Sequence, residues 1–382
     1  MSNTERHANG WWPSWSSAAR RSVIPVVLGG VLLGAACSSN ETDSAANTTE
    51  PSTSAATGST DTPAPGGVCE GVSGKITVYS GRSEALVSDV FEAFTTATGV
   101  TVEVRYGDSG ELAGQILTEG SATPADAFFS QDAGALGAVE AAGLFDPLPS
   151  SVTDRVPAGF RSASGNWTGT SGRVRVIVYN PTKAPNPPST IDGLLDPAWK
   201  GQIGFAPTNA SWQSFVTALR VLRGEDGARS WLEAFAANKP VAFEKNGAVR
   251  DAVNSGQVSL GLVNHYYLYE LIAAEGADAV VAKNQYLAPG DPGGLVNVAG
   301  IGVLGASDSQ PAAQCLASYL VSDAGQQYFV GKTFEYPLVE GIEQAPGLPS
   351  LGELKPPAID LSNLRTLAET QELLSDVGLL TR

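Results

Sequence analysis

The sequence predicts an α/β protein of two lobes, each a mostly parallel sheet flanked by helices, joined by crossing hinge strands. Strand-like and helix-like segments alternate along most of the chain, which is typical of parallel sheets. About 315 residues follow the first 67 of the chain, more than one simple core usually holds. Two long apolar strands, at 173–180 and 295–304, are expected to carry the chain into the second lobe and back.

The first lobe is predicted to begin with three strands that alternate with helices. Apolar residues recur at helical spacing in 84–97, and Asp108 with Glu111 three residues later predicts a capping box. The predicted strands are 76–79, 101–106 and 127–129, and the predicted helices are 84–97, 108–118 and 132–142. Ligands of such sheets bind beyond the carboxyl ends of the strands, which points to residues 80–83 and 130–132.

The second lobe is expected to hold helices at 213–223, 248–254 and 268–276 and a strand at 258–263. Helices at 311–329 and 360–377 are predicted after the return crossing. We therefore divide the body into a first lobe of 74–173 and 296–345, a second lobe of 174–295, and a C-terminal segment of 346–382 packed on the second lobe.

The start of the chain is predicted to be a lipoprotein leader. Residues 23–36 are apolar and small, about the length of a signal-peptide core, and Cys37 follows them. Residues 1–36 are thus expected to be removed and Cys37 to carry lipid, although Gly34 stands where a bulky residue is usual, so plain cleavage stays an alternative. Residues 37–73, poor in large apolar residues, are expected to form a disordered tether. The protein would then lie on the outer face of the cytoplasmic membrane, with its lipid as the only membrane contact.

Charge and cysteine content restrict the functions further. The formal net charge of −16 disfavours nucleic acid and anionic membrane surfaces as partners. Cys69 and Cys315 are either a disulfide of an exported protein or two unrelated thiols. No zinc-binding cluster, nucleophile elbow or complete phosphate-binding loop is found in the sequence, so we expect a binding protein, acting as a monomer, and not an enzyme.

Tyr266 and Tyr267 are the most informative residues of the chain. They stand between a predicted strand and a predicted helix, where the turning backbone lets two neighbouring side chains converge. Phenolate is a hard oxygen ligand that suits a trivalent cation such as Fe3+, and a bound cation favours loss of the phenol proton. The alternative interpretation is aromatic packing at a helix start.

Six segments in order resemble the ferric-ion-binding proteins, the substrate-binding components of bacterial iron ABC importers. These are the stretches 76–82, 124–129, 171–180, 246–249, 264–267 and 334–338. The resemblance covers residues 74–380 and implies the periplasmic-binding-protein fold, in which two lobes close on a ligand. It also implies that this chain delivers its cargo to importer membrane subunits.

The resemblance implies an iron site at Tyr266 and Tyr267 together with a synergistic anion, carbonate or phosphate. Three family ligands are replaced here: a His by Ser83, a Glu by Gln131, and a third Tyr by Trp212. Gln131 remains a candidate metal ligand, and Ser83 and Trp212 remain candidate ligand contacts. The positions that match the family's anion side are Asn209, Ala210, Ser211, Asn246 and Asn264.

The replaced ligands change the charge balance of the implied site. Two phenolates leave Fe3+ with a charge of +1, so iron binding is expected to depend on the anion. Arg82 and Arg175 are candidates to hold it, and a structural ion pair is the alternative for each. The alternative is an iron chelate, or a small organic ligand of the polyamine, thiamine or phosphonate class bound without metal ligation.

Overall fold

The computed structural model of this protein describes residues 67–380. The predicted leader, the lipidation site Cys37 and most of the tether lie outside the described residues. Within 67–380, no helix is long and apolar enough to cross a membrane.

The described residues form one sheet of ten strands, eight of them in the order β2-β1-β3-β10-β5-β8-β6-β7, with β4 beside β10 and β9 beside β5. The strands are β1 (Lys75–Ser80), β2 (Thr101–Tyr106), β3 (Ala127–Ser130), β4 (Phe145–Asp146), β5 (Trp167–Tyr179), β6 (Ile203–Phe205), β7 (Val241–Ala242), β8 (Leu260–Asn264), β9 (Lys283–Gln285) and β10 (Val296–Leu304). Parallel pairs β1–β2 and β1–β3 lie in one lobe, and β6–β7 and β6–β8 in the other.

Helices cover the faces of the two halves of this sheet. They are α1 (Glu84–Thr98), α2 (Ser109–Glu119), α3 (Ala133–Ala141), α4 (Ser150–Thr153), α5 (Ala210–Ala237), α6 (Asn246–Asn254), α7 (Tyr266–Glu275), α8 (Gln310–Leu320), α9 (Asp323–Lys332), α10 (Leu351–Leu354) and α11 (Leu367–Asp376). The two-lobed α/β fold predicted from the sequence is confirmed.

The strands β5 and β10 connect the lobes. β5 pairs antiparallel with β10 from Trp167 to Val174 and then with β8 from Arg175 to Tyr179. One strand therefore belongs to both halves of the sheet, and its partner changes between Val174 and Arg175. The division of the chain at 173 and 295 remains our interpretation of where one lobe gives way to the other.

Three helical predictions differ from the structure. The helix expected at 311–329 is two helices, because the Ser322 side chain caps a new helix start by accepting a hydrogen bond from the Gly325 amide. The helix expected at 213–223 begins at Ala210 and continues to Ala237, with non-helical backbone at Gly224. Asp108 is the N-cap of α2, but its side chain makes no capping hydrogen bond, so the predicted capping box is wrong.

The C-terminal segment contacts both lobes, whereas the sequence predicted contact with the second lobe alone. In place of one helix at 360–377 there is a short 3₁₀ turn, Leu361–Arg365, followed by α11. The turn buries Leu361 and Leu364 in the first-lobe core, and α11 buries Leu373 and Leu374 in the second. Gly134 makes the first contact possible, because a Cβ there would lie 2.7 Å from the Leu364 carbonyl oxygen.

A disulfide joins Cys69 to Cys315 of α8, 246 residues away in the sequence. Val68 and Val72 pack against the first-lobe core beside it. The end of the predicted tether is therefore part of the folded body, which corrects the disordered segment 37–73 over its last residues. The bridge and these apolar contacts supply the burial that the composition of the tether did not suggest.

Candidate functional site

Tyr266 and Tyr267 lie at the corner between β8 and α7. The helix begins at Tyr266, two residues earlier than predicted, so both tyrosines are in its first turn. Their rings stack with centroids 4.4 Å apart and planes inclined by 28°. Tyr266 is buried and Tyr267 is half-buried. The corner thus places both phenols on the same side of the backbone, a geometry that allows two oxygens to approach one ligand.

Charged groups surround the tyrosine pair, so it does not lie in a purely apolar core. Burial and the neighbouring Tyr267 raise the pKa of Tyr266 well above its ordinary value, whereas Arg82 and Arg173 oppose the rise. Burial also raises the pKa of Tyr267, against the effects of the Tyr266 and Asn246 side chains. Both phenols are therefore neutral without a ligand, and a cation at the oxygens would supply the free energy for their ionisation.

A polar network from the second lobe lies beside the pair. Asn209, the N-cap of α5, accepts hydrogen bonds from the Ser211 amide at 3.0 Å and the Asn246 amide group at 3.1 Å. The Asn264 amide group donates to the Ser211 hydroxyl at 3.1 Å. Ala210 is the first residue of α5, and its backbone N–H, which donates to no residue of 67–380, is free to bind an anion. The structure thus brings together all five residues assigned to the anion side.

Arg173 and Arg175 are buried cations whose guanidinium groups have no hydrogen-bond partner among residues 67–380. They stand two residues apart on β5 and therefore project from the same face. Within the described part of the chain, five of their guanidinium nitrogens are buried without a partner: Nε, Nη1 and Nη2 of Arg173, and Nη1 and Nη2 of Arg175. Burial lowers the pKa of both, that of Arg175 to about 9. An anion would satisfy these donors.

Arg173 was not among the residues assigned from the sequence. The signal was present in the alternation of Arg173-Val174-Arg175-Val176, which places two positive charges on one face of a strand. Nothing in the sequence showed that this face would be buried. Arg173 also lies near Tyr266, Glu335 and Asp132, because each of these groups raises its pKa against the effect of burial.

Arg82 is the residue for which the ion-pair alternative holds. Its two terminal nitrogens each donate to a carboxylate oxygen of Glu335 at 2.8 Å, and both side chains are buried. Burial alone would lower the pKa of Arg82, yet Glu335 holds it above its ordinary value. The Arg82 side chain therefore has the structural role of an ion pair, and its assignment to anion binding stays a prediction.

Ser83 and Gln131 stand at the carboxyl ends of the neighbouring strands β1 and β3. Ser83 is exposed and is the N-cap of α1 without a side-chain capping bond. Gln131 is half-buried, and its backbone N–H donates to the Ser109 hydroxyl at 2.9 Å. No hydrogen bond ties the Gln131 side chain to any residue of 67–380, so its amide oxygen is available to a ligand.

Trp212 lies in the core of the second lobe. Its ring contacts Phe205, Phe215 and Phe235 at centroid distances of 5.1, 5.5 and 5.6 Å, and it is 1% exposed. The Arg175 guanidinium lies 5.9 Å from the Trp212 ring. Its indole Nε1 is buried without a hydrogen-bond partner within 67–380, so the assignment of Trp212 as a ligand contact stays a prediction.

His265 is occupied by backbone contacts between the lobes. Its Nδ1 accepts a hydrogen bond from the Val174 amide at 3.2 Å, and its Nε2 lies 2.9 Å from the Phe334 carbonyl oxygen. Because Nδ1 is the acceptor, Nε2 carries the proton and donates to Phe334. Both nitrogens are therefore unavailable to a metal. No group of three or more His, Cys, Asp or Glu residues capable of holding a metal occurs within 67–380.

The crossing strands, the two lobes and the polar groups between them are typical of two-lobed solute-binding proteins. Residues 122–360 match the family model described as "Bacterial extracellular solute-binding protein", and the chain belongs to this family. The family is one of transport proteins, which confirms the prediction of a binding protein and not an enzyme.

Individual relatives and a solved structure are similar to this chain over four-fifths of its length. The chain is 36% identical over 309 residues to the Fe(3+)-binding periplasmic protein of Serratia marcescens, covering 80% of this chain and 90% of the relative. It is 32% identical to the major ferric iron-binding protein of Neisseria meningitidis serogroup B, with 80% and 93% covered. Iron-bound HitA from Pseudomonas aeruginosa superposes with a TM-score of 0.76 at 32% identity, over 80% of this chain and 99% of HitA.

A second solved structure, Trichodesmium IdiA (FutA) in complex with iron and citrate ligands, has a TM-score of 0.69 at 30% identity, with 80% and 99% covered. The resemblance to ferric-ion-binding proteins that the sequence motifs indicated is therefore confirmed at the level of the family and its named relatives.

Proposed function

We propose that this protein captures ferric iron and a small anion between its lobes and delivers them to an ABC importer. The observation that carries the proposal is the stacked pair Tyr266–Tyr267 beside the unpaired guanidinium groups of β5. Relatives named for ferric iron binding, similar over four-fifths of this chain, support the identity of the cargo. Cys37 would anchor the protein by lipid to the outer face of the cytoplasmic membrane.

Iron capture begins with two neutral phenols. Fe3+ binds the oxygens of Tyr266 and Tyr267, and each phenol releases one proton to water, which leaves the cation with a charge of +1. Gln131, on the opposite lobe, offers a neutral amide oxygen as a further ligand. Because the lobes meet at β5 and β10, bending of these strands would close the cleft and exclude water from the site.

The anion binds beside the iron, between the arginines of β5 and the amide network of the second lobe. Carbonate or phosphate would accept hydrogen bonds from Arg173 and Arg175, whose guanidinium nitrogens have no partner in the described part of the chain. The N-terminus of α5 and the side chains of Asn209 and Ser211 line the other side. The anion thus offsets charge on both the cation and the guanidinium groups.

The experiment is metal analysis and a visible spectrum of the protein expressed without its leader. Iron-loaded protein should show a phenolate-to-iron charge-transfer band, and Tyr266→Phe or Tyr267→Phe should abolish it. Tyr269→Phe is the matched control, since Tyr269 is in the same helix but donates to the Gly347 carbonyl oxygen. Retained colour and affinity in both site variants would remove the proposed iron site.

An iron chelate is the second candidate cargo, and the same unpaired arginines favour it because guanidinium groups bind carboxylates well. Polyamine and thiamine fit poorly, since both are cations that two buried arginines would repel. One titration with ferric citrate and a second with ferric iron plus carbonate distinguish an iron chelate from ferric iron with a small anion as the cargo. A phosphonate would bind without metal and without colour.

A further inference from the structure

Glu270 is a carboxylate on the helix that carries the tyrosine pair. It follows Tyr266 by four residues and Tyr267 by three, and residues at these separations share one face of a helix. Its side chain is 25% exposed. Within residues 67–380 its carboxylate accepts no hydrogen bond from a side chain, and the paired cation, Arg250 of α6, is 3.9 Å away. Glu270 is thus a half-buried carboxylate with little local compensation.

The electrostatic surroundings of Glu270 overlap those of the site. Burial raises the pKa of Glu270 to about 7, Arg250 opposes the rise, and Glu335 of the first lobe adds to it. Glu270 in turn raises the pKa of Tyr267. The carboxylate therefore lies close enough to the phenol to disfavour its ionisation when no cation is present. A cation between the two groups would reverse this effect and stabilise both negative charges.

We propose that Glu270 supplies a third negatively charged oxygen to the ferric ion held by Tyr266 and Tyr267. This inference rests on the proposed function. Two phenolates and one carboxylate carry three negative charges, which balance Fe3+ without help from the first lobe. Glu270 would thereby replace the carboxylate that is absent at Gln131. The anion is then still required, because it offsets the positive charge of Arg173 and Arg175.

The alternative is that Glu270 has a structural role only, in which it pairs with Arg250 and joins α6 to α7. The helix geometry alone allows both roles, since Arg250 also donates to the Tyr267 carbonyl oxygen at 2.9 Å. If Glu270 is purely structural, its substitution should lower the stability of the iron-free and the iron-loaded protein alike. If Glu270 is a ligand, its substitution should lower the stability of the iron-loaded protein alone, because the charge of the carboxylate is compensated only when the cation is bound.

The test compares Glu270→Gln with Glu275→Gln, an exposed control at the end of the same helix, and with Arg250→Gln. Iron affinity is measured by competition with citrate, and thermal unfolding is followed with and without iron. We expect Glu270→Gln to weaken iron binding at least about tenfold and to keep the iron-free melting temperature at or above that of the parent. The iron affinity of Glu270→Asp, which retains the charge on a shorter side chain, should lie between that of Glu270→Gln and that of the parent.

The inference is overturned if Glu270→Gln binds iron as tightly as the parent, or if Arg250→Gln weakens binding equally. In either case the parent still shows its charge-transfer band, so the proposed function survives. A parent protein that binds no ferric iron would overturn both. If Glu270→Gln does not fold, Glu270→Asp decides, because undiminished iron affinity there with a melting temperature below the parent's indicates a structural role.

Discussion

Arg82 and Glu335, 253 residues apart in the sequence, form a two-bond ion pair with both nitrogen–oxygen distances at 2.8 Å. The Glu335 carboxylate also accepts hydrogen bonds from the hydroxyl groups of Ser171 at 3.1 Å and Thr333 at 2.9 Å. The pair therefore ties the end of β1 to β5 and to the segment after α9. It lies next to the tyrosine pair, where Arg82 lowers the pKa of Tyr266 and Glu335 raises it.

Removal of one partner of this pair should destabilise the fold strongly. Glu335→Gln leaves the Arg82 cation buried without compensation, so we expect a loss of about 3–5 kcal/mol in the free energy of unfolding. Urea denaturation of the iron-free protein measures it. Glu103→Gln, which breaks the exposed pair with Lys75, is the control and should cost less than about 1 kcal/mol. Equal effects of the two variants would contradict the role assigned to Glu335.

The arginines of β5 should show opposite effects on stability and on ligand binding. Arg173→Gln or Arg175→Gln removes a buried cation that has unpaired nitrogens, so the iron-free protein should be as stable as the parent or more stable. The dependence of iron affinity on added carbonate or phosphate should disappear, with affinity lower by at least about tenfold. Iron titration at several anion concentrations measures both quantities.

Arg223→Gln serves as the control for these two variants, because Arg223 pairs with Asp192 near the surface. It should leave the anion dependence unchanged. Tight iron binding that is independent of anions in the parent, or retained anion dependence in both β5 variants, would contradict the assignment of the anion site.

His265 should make the iron-free fold less stable in mild acid. Burial lowers its pKa from 6.5 to about 4, whereas in the unfolded chain it titrates near 6.5. Between these values the unfolded state binds more protons, so the free energy of unfolding falls as the pH falls. From pH 7.5 to pH 5.0 the parent should lose about 2 kcal/mol more than His265→Gln. Parallel pH profiles of the two proteins would refute this contribution.

Much of the fold could be predicted from sequence because local patterns determine it. The alternation of strands and helices, and the corner before Tyr266 and Tyr267, follow from periodicity and from the place where an apolar strand ends. The break at Ser322 was missed, since apolar spacing continues across it and the cap that interrupts it is a single residue. The stop before Gly224 was predicted, but the continuation of the helix from there to Ala237 was not.

The residues of the site were harder to predict, because burial and pairing depend on distant parts of the chain. Arg82 was assigned to the anion, yet its partner Glu335 lies far along the sequence. Trp212 was placed at the ligand, although the aromatic neighbours that bury it are contributed by β6 and by both ends of α5. Arg173 was passed over, since only the assembled sheet shows that its nitrogens are enclosed and unpaired.

The C-terminal segment has a mechanical consequence. Its 3₁₀ turn is fixed in one lobe and α11 in the other, and Arg220 donates to the Thr366 carbonyl oxygen at 2.9 Å, at the junction between them. The two halves are thus tied at a third place besides β5 and β10. We therefore expect this tie to restrict how far the two lobes can separate.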